Sequence, residues 1–225
     1  MTPFALAVRA IAAYNLTRHM NLRVAGRDYV PRRGPAILAA RHYHHLFDGA
    51  ALVMGLHRQP SIFVALDWTH SPWERLVMET ACNLADWPVA LRADNLSRSP
   101  TSAFAKREVL RYVRTSVEKA AALLGRGELV AIFPEGYPTI DPAGSRKPAE
   151  DAFLPFAPGF VAIVDRVRRE HGEAPPVIPV GFTYAPAAKG RTDVTMRLGP
   201  PVVRGGESRA AFVRDVEARV HALSR

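Results

Sequence analysis

Cysteine, lysine and long apolar runs are all scarce in this 225-residue sequence. The single cysteine, Cys82, excludes an intrachain disulfide and is expected to pack as a small buried side chain. The longest stretch without Asp, Glu, Lys or Arg covers residues 174–188 and is interrupted by four prolines. A helix that spans a bilayer needs about 20 apolar residues, so the sequence predicts no transmembrane helix.

Lysine accounts for only four of the 30 basic residues, and the formal net charge is +9 at pH 7. A basic excess of this size attracts polyanions such as nucleic acids, anionic lipid headgroups and phosphorylated substrates. The basic residues are spread along the chain and belong to no nucleic-acid-binding motif. We therefore expect no nucleic acid among the partners.

Short apolar runs alternate with amphipathic stretches, and the chain is long enough for one large domain. This alternation predicts an α/β fold: a single layered domain whose mixed, mostly parallel sheet of about seven strands carries helices on both faces. Helical spacing of apolar residues predicts helices within residues 102–124, 160–171 and 208–223, and residues 141–151 are expected to form an exposed loop. The predicted strands are Leu22–Ala25, Pro35–Ala40, Ser61–Leu66, Pro88–Arg92, Leu129–Phe133, Val177–Thr183 and Val194–Leu198.

Residues 1–21 are expected to form an N-terminal apolar helix that precedes the main domain, residues 22–225. Arg9 lies in the middle of this segment and no cleavage site follows, which argues against a signal peptide. Two interpretations stay open: a core helix, or a helix that lies in a membrane interface with its basic side chains among the headgroups. The side chains that would enter the membrane are Phe4, Leu6, Val8 and Ile11.

Three histidines and an aspartate follow the predicted strand Pro35–Ala40, in residues 41–49 (RHYHHLFDG). An aspartate can accept a hydrogen bond from one ring nitrogen of a histidine, which leaves the other nitrogen to take a proton from an attacking hydroxyl. The same residue types can bind a metal ion, although the paired histidines of an HExxH helix are absent. The segment therefore predicts a general base with an orienting carboxylate, and a metal-dependent hydrolase is the alternative from another class.

A second polar segment follows the predicted strand Leu129–Phe133. Pro134 ends this strand because proline cannot donate to a sheet. Glu135 and Gly136 then lie at the carboxyl end of the strand, where open α/β sheets bind their ligands. Gly136 permits a positive φ or a close approach of a substrate to the backbone. Taken alone, this segment predicts only a plain turn in which the Glu135 carboxylate is solvated.

Together and in this order, the two segments resemble the phosphate-acyltransferase superfamily of glycerolipid synthesis, and in particular its 1-acylglycerol-3-phosphate acyltransferase type. The resemblance extends from about Val24 to the C-terminus, because further segments match the family in the same order. These segments are Pro88–Arg92, Leu154–Gly159, Val177–Val180 and Leu198–Val202.

The resemblance implies an enzyme that moves a fatty acyl group from acyl-coenzyme A or acyl carrier protein to the hydroxyl of a lysophospholipid, with 1-acylglycerol-3-phosphate as the default acceptor. It implies that His42 is the general base, that Asp48 orients it, and that Arg92, Glu135 and Gly136 bind substrate. It implies no metal, and no cofactor beyond the acyl thioester itself. A lipid acceptor implies a peripheral position at the cytoplasmic side of a membrane.

The spacing of the proposed base and its carboxylate departs from the family. The family has four residues between the two, whereas five separate His42 from Asp48. A one-residue bulge would reconcile His42 with the pattern. His44 is the reserve candidate because it lies four residues before Asp48, and His45 is expected to pack or to contact solvent.

The residues after Gly136 also depart from the family, which commonly has Thr-Arg-Ser where this chain has residues 137–139 (YPT). The missing arginine leaves another lysolipid, such as lyso-ornithine lipid, open as the acceptor. Arg92, Arg146 and Lys147 are the candidates to replace it.

Overall fold

The structure is a computed structural model that describes residues 3–98, 101–142, 144–149 and 152–225, apart from the side chains of Ala5 and Asn15. The helices are α1 (Pro3–His19), α2 (Phe47–Gly55), α3 (Pro72–Leu84), α4 (Ala93–Arg98), α5 (Val109–Gly125), α6 (Gly159–His171) and α7 (Arg209–Leu223). The strands are β1 (Met20–Ala25), β2 (Ala36–Ala40), β3 (Ser61–Ile62), β4 (Val64–Ala65), β5 (Val89–Ala90), β6 (Leu129–Ile132), β7 (Val177–Pro186) and β8 (Thr192–Leu198). Short 3₁₀ turns cover Arg27–Tyr29, Lys106–Glu108 and Ala188–Gly190.

Six strands form the main sheet in the order β1-β8-β7-β2-β6-β3, and β4 pairs with β5 in a separate two-stranded sheet. Every pair in the main sheet is parallel except β7 with β8, which is antiparallel. The mixed, mostly parallel sheet predicted from the sequence is confirmed. Its central strands β2 and β6 are buried because helices cover both faces.

Alternate side chains of β2 enter two different cores. Leu38 packs in one core with residues of α1 and α2, and Ile37 packs in the other with residues of α5, α6 and α7. This alternation is the period of two that a strand imposes on its side chains. A third, smaller cluster joins Cys82 of α3 to Leu66 and Leu91 beside the two-stranded sheet, so the cysteine is buried as predicted.

The bounds of most predicted strands differ by a few residues from those observed, and two predicted elements differ in more than their ends. The predicted strand Ser61–Leu66 is divided between β3 and β4, which belong to different sheets. The helix predicted within residues 102–124 starts only at Val109, after a 3₁₀ turn. That turn is fixed by the Glu108 carboxylate, which accepts the N–H of Ala105 at 2.8 Å and pairs with Arg75 at 2.9 Å.

Helix α1 uses one face to pack on the domain and leaves the other face in solvent. Ala12 and Leu16 are buried in the first core, Val8 packs against it, and Arg9 donates to the Val53 carbonyl at 3.2 Å. The opposite face exposes Leu6, Ile11 and Tyr14. The expected membrane-facing set is therefore divided, since Val8 faces the core whereas Leu6 and Ile11 do not. The first two residues of the predicted helix, 1 and 2, lie outside the described residues. Within the described part of the chain, no helix has the length and apolarity needed to cross a bilayer.

The close approach of β7 to the end of α7 generates a stability prediction. A Cβ on Gly181 would lie 2.4–2.6 Å from the backbone and Cβ of Leu223, so Gly181→Ala forces the end of α7 away from the sheet. We expect it to lower the free energy of unfolding by about 1–3 kcal/mol, measured by urea denaturation. Gly159→Ala is the matched control, because nothing lies within 4 Å of that Cβ. Equal stability of the two variants would contradict the packing at Gly181.

Candidate functional site

The site lies where the parallel strands end. His42 follows β2, Glu135 follows β6, and Arg92 follows β5, which places all three segments at the carboxyl edge of the strands. A hydrogen bond from the His42 N–H to Glu135 Oε1, 2.8 Å long, joins the first two segments. This is the edge at which α/β sheets bind ligands, and the structure therefore brings the two polar segments of the sequence together.

His42 and Asp48 form a hydrogen-bonded pair, with 3.0 Å between His42 Nδ1 and Asp48 Oδ2. A carboxylate only accepts hydrogen bonds, so the proton of this bond belongs to Nδ1 and the opposite nitrogen, Nε2, is left with a lone pair. The His42 ring stacks on Phe133 with 4.3 Å between centroids, and its side chain remains 15% exposed. The arrangement is that of a base held by a buried carboxylate.

Four donors surround the Asp48 carboxylate, which is itself fully buried. Oδ2 accepts the His42 ring N–H and the backbone N–H groups of Tyr43 and His44, at 2.7 and 2.9 Å. Oδ1 accepts the hydroxyl of Tyr184, at 2.5 Å, from β7. A buried charge needs such partners to offset its desolvation. Burial and the neighbouring carboxylate raise the pKa of Tyr184 well above its ordinary value, so the phenol stays protonated and keeps donating.

The extra residue between His42 and Asp48 is accommodated before α2 begins. His44 pairs with Ile140 in a short parallel bridge, and the Thr139 and Ile140 N–H groups donate to the carbonyls of His42 and Tyr43. Residues 42–44 are therefore extended, and His42 reaches Asp48 from outside the helix.

His44 holds the start of α2. Its Nδ1 accepts the N–H groups of Leu46 and Phe47 at 3.2 and 3.3 Å, and its ring stacks on Phe47 with 3.9 Å between centroids. Burial and the neighbouring His45 lower the pKa of His44 to about 4, so the ring is neutral near pH 7 and able to accept. His45 is exposed and contacts the Ile140 carbonyl through Nδ1 at 3.3 Å. Of the three histidines, His42 is the one whose ring meets the carboxylate.

Glu135 is buried, and both of its oxygens are bound by other groups of this chain. Oε1 accepts from His42 N–H, and Oε2 accepts from Leu154 N–H at 3.1 Å and pairs with Lys147 at 2.6 Å. The loop predicted over residues 141–151 contains no helix or strand where it is described, but Lys147 is buried rather than exposed. Gly136 has the positive φ, +74°, that its sequence position suggested.

Arg92 lies between a buried carboxylate and a backbone carbonyl. It pairs with Asp67 at 2.9 Å and donates to the Gly136 carbonyl at 2.8 Å. The Tyr137 ring contacts the guanidinium groups of both Arg92 and Arg146, at 4.3 and 4.0 Å from its centroid. Arg146 is in turn hydrogen-bonded to Asp94 and Asn95. The structure therefore brings together both arginines that the sequence offered as replacements for the missing one.

A metal site at the histidine cluster has no geometric support. Nowhere in residues 3–98, 101–142, 144–149 and 152–225 do three His, Cys, Asp or Glu side chains lie close enough to hold one ion. The rings of His42 and His44 are directed to different partners, as described above. His42 thus binds the Asp48 carboxylate, and His44 binds the N–H groups at the start of α2.

Tyr184 and Asp67 are site residues that the sequence did not identify. Tyr184 is 136 residues from Asp48 and follows the buried part of its strand, residues 177–182. Asp67 follows a predicted strand, and that position is the only signal that could have found it. Tertiary contacts, rather than local patterns, bring both to the site.

Comparison with known proteins identifies the class. A model of the Acyltransferase family matches residues 21–183, so this chain belongs to that family. Its fold is similar to the crystal structure of the 1-acyl-sn-glycerophosphate (LPA) acyltransferase PlsC from Thermotoga maritima, with a TM-score of 0.61 and 18% sequence identity. The similarity covers 97% of this chain and 77% of the PlsC chain. No functionally curated protein has a significantly similar sequence.

The hydrogen bond from the Tyr184 hydroxyl to Asp48 leads to a prediction about the His42–Asp48 pair. Tyr184→Phe keeps the ring stack on Tyr43 and removes one donor from Asp48. A hydrogen bond to a charged group contributes about 1.5–3 kcal/mol, so we expect kcat of acyl transfer to fall at least tenfold with KM nearly unchanged. Tyr112→Phe is the control, because its hydroxyl binds Glu79 away from the pair. A rise in KM with constant kcat would assign Tyr184 to substrate binding instead.

Proposed function

We propose that this chain transfers a fatty acyl group from a thioester of coenzyme A or acyl carrier protein to the hydroxyl of a lysophospholipid. Membership of the Acyltransferase family supports the reaction class, and the lipid acceptor is suggested by the PlsC neighbour. The observation that carries the proposal is the 3.0 Å hydrogen bond between His42 and the buried Asp48.

In the proposed reaction, His42 Nε2 takes the proton of the acceptor hydroxyl as its oxygen attacks the thioester carbonyl. Asp48 fixes the ring and stabilises the imidazolium that forms. Collapse of the tetrahedral intermediate breaks the carbon–sulfur bond, and the proton passes from His42 to the leaving thiolate. No acyl-enzyme is formed, and the reaction uses neither a metal nor a further cofactor.

The default acceptor is 1-acylglycerol-3-phosphate, with Arg92 as its headgroup ligand. Arg92 donates to the carbonyl of Gly136, whose neighbour Glu135 binds the His42 N–H. A guanidinium can bind a phosphate through two parallel hydrogen bonds. In this proposal the acceptor phosphate binds on the side of Arg92 away from Asp67.

A zwitterionic lysolipid, such as lyso-ornithine lipid, is the second candidate acceptor. The observation in its favour is that Arg92 and Arg146 each pair with a carboxylate, Asp67 and Asp94. A doubly charged phosphate monoester gains less binding free energy from arginines whose charge is already neutralised by a carboxylate. A zwitterionic headgroup can pair its own positive and negative groups with both members of such an ion pair.

The experiment is an acceptor panel. Purified protein is incubated with oleoyl-coenzyme A and a set of lysolipids that includes both candidates, and the products are identified by mass. We expect one lysolipid class to gain an oleoyl group, and His42→Ala to lower the rate by about 10²–10⁴-fold. His45→Ala is the matched control and should retain activity, since the ring of His45 is exposed. Full activity of the His42→Ala variant would refute the proposed base.

We also propose that the protein binds the cytoplasmic side of a membrane peripherally, which a lipid acceptor requires. An apolar cleft of about 360 Å³ separates the start of α1 from α3. It is lined by Phe4, Trp73, Leu76, Val77 and Leu84, and we call these five residues the α1/α3 surface. Trp73 is 71% exposed, and a contiguous apolar surface of this kind is typical of a membrane contact.

The α1/α3 surface generates a binding prediction. Leu76→Glu should weaken co-sedimentation with anionic liposomes about tenfold, because burial of a leucine contributes about 1.5–3 kcal/mol. High salt should weaken binding further by screening the basic residues. Leu110→Glu is the matched control, since Leu110 is 81% exposed on a different helix, α5. Equal loss in the two variants would refute a specific role for the α1/α3 surface.

A further inference from the structure

A buried ion pair lies directly against the backbone of His42. Lys147 Nζ is 2.6 Å from Glu135 Oε2, and both side chains are 0% exposed. Burial lowers the pKa of Lys147, and the Glu135 carboxylate opposes that effect. A buried pair of this kind gains little net stability over apolar side chains. Its position beside the proposed base therefore calls for a functional account.

The pair holds both peptide groups of His42. The His42 N–H donates to Glu135 Oε1 at 2.8 Å, and Lys147 Nζ donates to the His42 carbonyl at 2.6 Å. The N–H of Thr139 donates to the same carbonyl at 3.3 Å. Because the imidazole is attached at the Cα between these two peptide groups, fixing both of them fixes the direction of the Cα–Cβ bond. The hydrogen bond from Nδ1 to Asp48 then orients the ring itself.

The loop that carries Lys147 is anchored through the two residues that precede this lysine. The Lys147 N–H donates to Ser145 Oγ at 3.0 Å, and Ser145 Oγ donates to the Pro138 carbonyl at 3.0 Å. Arg146 bonds to Asp94 and Asn95 of α4. These contacts explain how a lysine from a loop rich in proline and glycine reaches a fully buried position.

We propose that Glu135 and Lys147 act as a positioning pair for His42 and do not bind the acceptor. The proposal rests on the proposed acyl transfer, and it departs from the expectation that Glu135 binds substrate. The carboxylate oxygens of Glu135 are committed to His42, Leu154 and Lys147. A catalytic group that is held by both its backbone and its ring is fixed in the geometry of attack, where small displacements cost large factors in rate.

The first test is independent of turnover. The imidazole of His42 is titrated by NMR in the wild type and in Lys147→Met, with its signal assigned by its loss in His42→Ala. Lys147→Met leaves the Glu135 charge unbalanced next to the His42 backbone, and a nearby negative charge favours the protonated imidazole. We expect the titration midpoint to move to higher pH, and the double variant Glu135→Gln/Lys147→Met to move it back. A midpoint unchanged in Lys147→Met would overturn the proposal.

The second test separates positioning from binding by kinetics. We expect Lys147→Met and Glu135→Gln each to lower kcat at least tenfold, with the acceptor KM within about twofold of wild type. An acceptor KM that rises in Glu135→Gln with kcat retained would overturn the proposal in favour of direct binding. Lys119→Met is the matched control, because Lys119 donates to the Trp87 carbonyl away from His42 and should leave both parameters unchanged.

Two outcomes distinguish failure of the pair from failure of the proposed function. If the wild type transfers no acyl group to any lysolipid while the NMR midpoint moves as expected, the positioning contact stands and the proposed function falls. If Lys147→Met does not fold, the NMR titration and the kinetic measurement are both made on Glu135→Gln, whose side chain has the same shape as that of the wild type. Its oxygen still accepts from the His42 N–H but no longer neutralises Lys147, so a normal kcat in that variant would overturn the proposal.

Discussion

The fully buried Asp48 carboxylate is the point on which the site depends. It accepts from two backbone N–H groups of the segment after β2, from the His42 ring, and from Tyr184 on β7. An ionised carboxylate without these donors would be too costly to bury. The need for these donors therefore determines three features together: the extended path of residues 42–44, the start of α2 and the orientation of the His42 ring.

Charge compensation is the second constraint on this edge of the sheet. Arg92 is paired with Asp67, Arg146 with Asp94, and Lys147 with Glu135. The formal net charge of +9 is therefore not a measure of the field at the strand ends. In the proposed function, recognition of an anionic headgroup would depend on directed hydrogen bonds more than on a net positive potential.

The sequence predicted what local patterns encode. Apolar runs located the strands β2, β6, β7 and β8, and the two polar segments were correctly assigned to strand ends. The division of residues 61–66 between two sheets was missed, because strands of two residues are too short to show a period. Between His42 and Asp48, where the sequence suggested a bulge, the structure has a bridge from His44 to Ile140, and residue spacing alone cannot show such a partner.

Tyr184 and Lys147 were hidden from the sequence for different reasons. Tyr184 continues the period of a core strand, so its hydroxyl gives no separate signal. Lys147 lies in a segment whose composition indicates a solvated loop, and the Glu135 carboxylate and the His42 carbonyl compensate its burial. Composition describes the average environment of a segment and not the partner of one side chain.

The N-terminal helix was ambiguous in sequence because it is apolar on more than one side. Ala12 and Leu16 are four residues apart and face the core, whereas Leu6 and Ile11 face outward. A helix that is apolar all round must find a second apolar surface or stay partly exposed. The two interpretations of α1 are thus compatible with each other. One face holds the helix on the domain, and this fixed attachment keeps the other face available at a defined position on the surface.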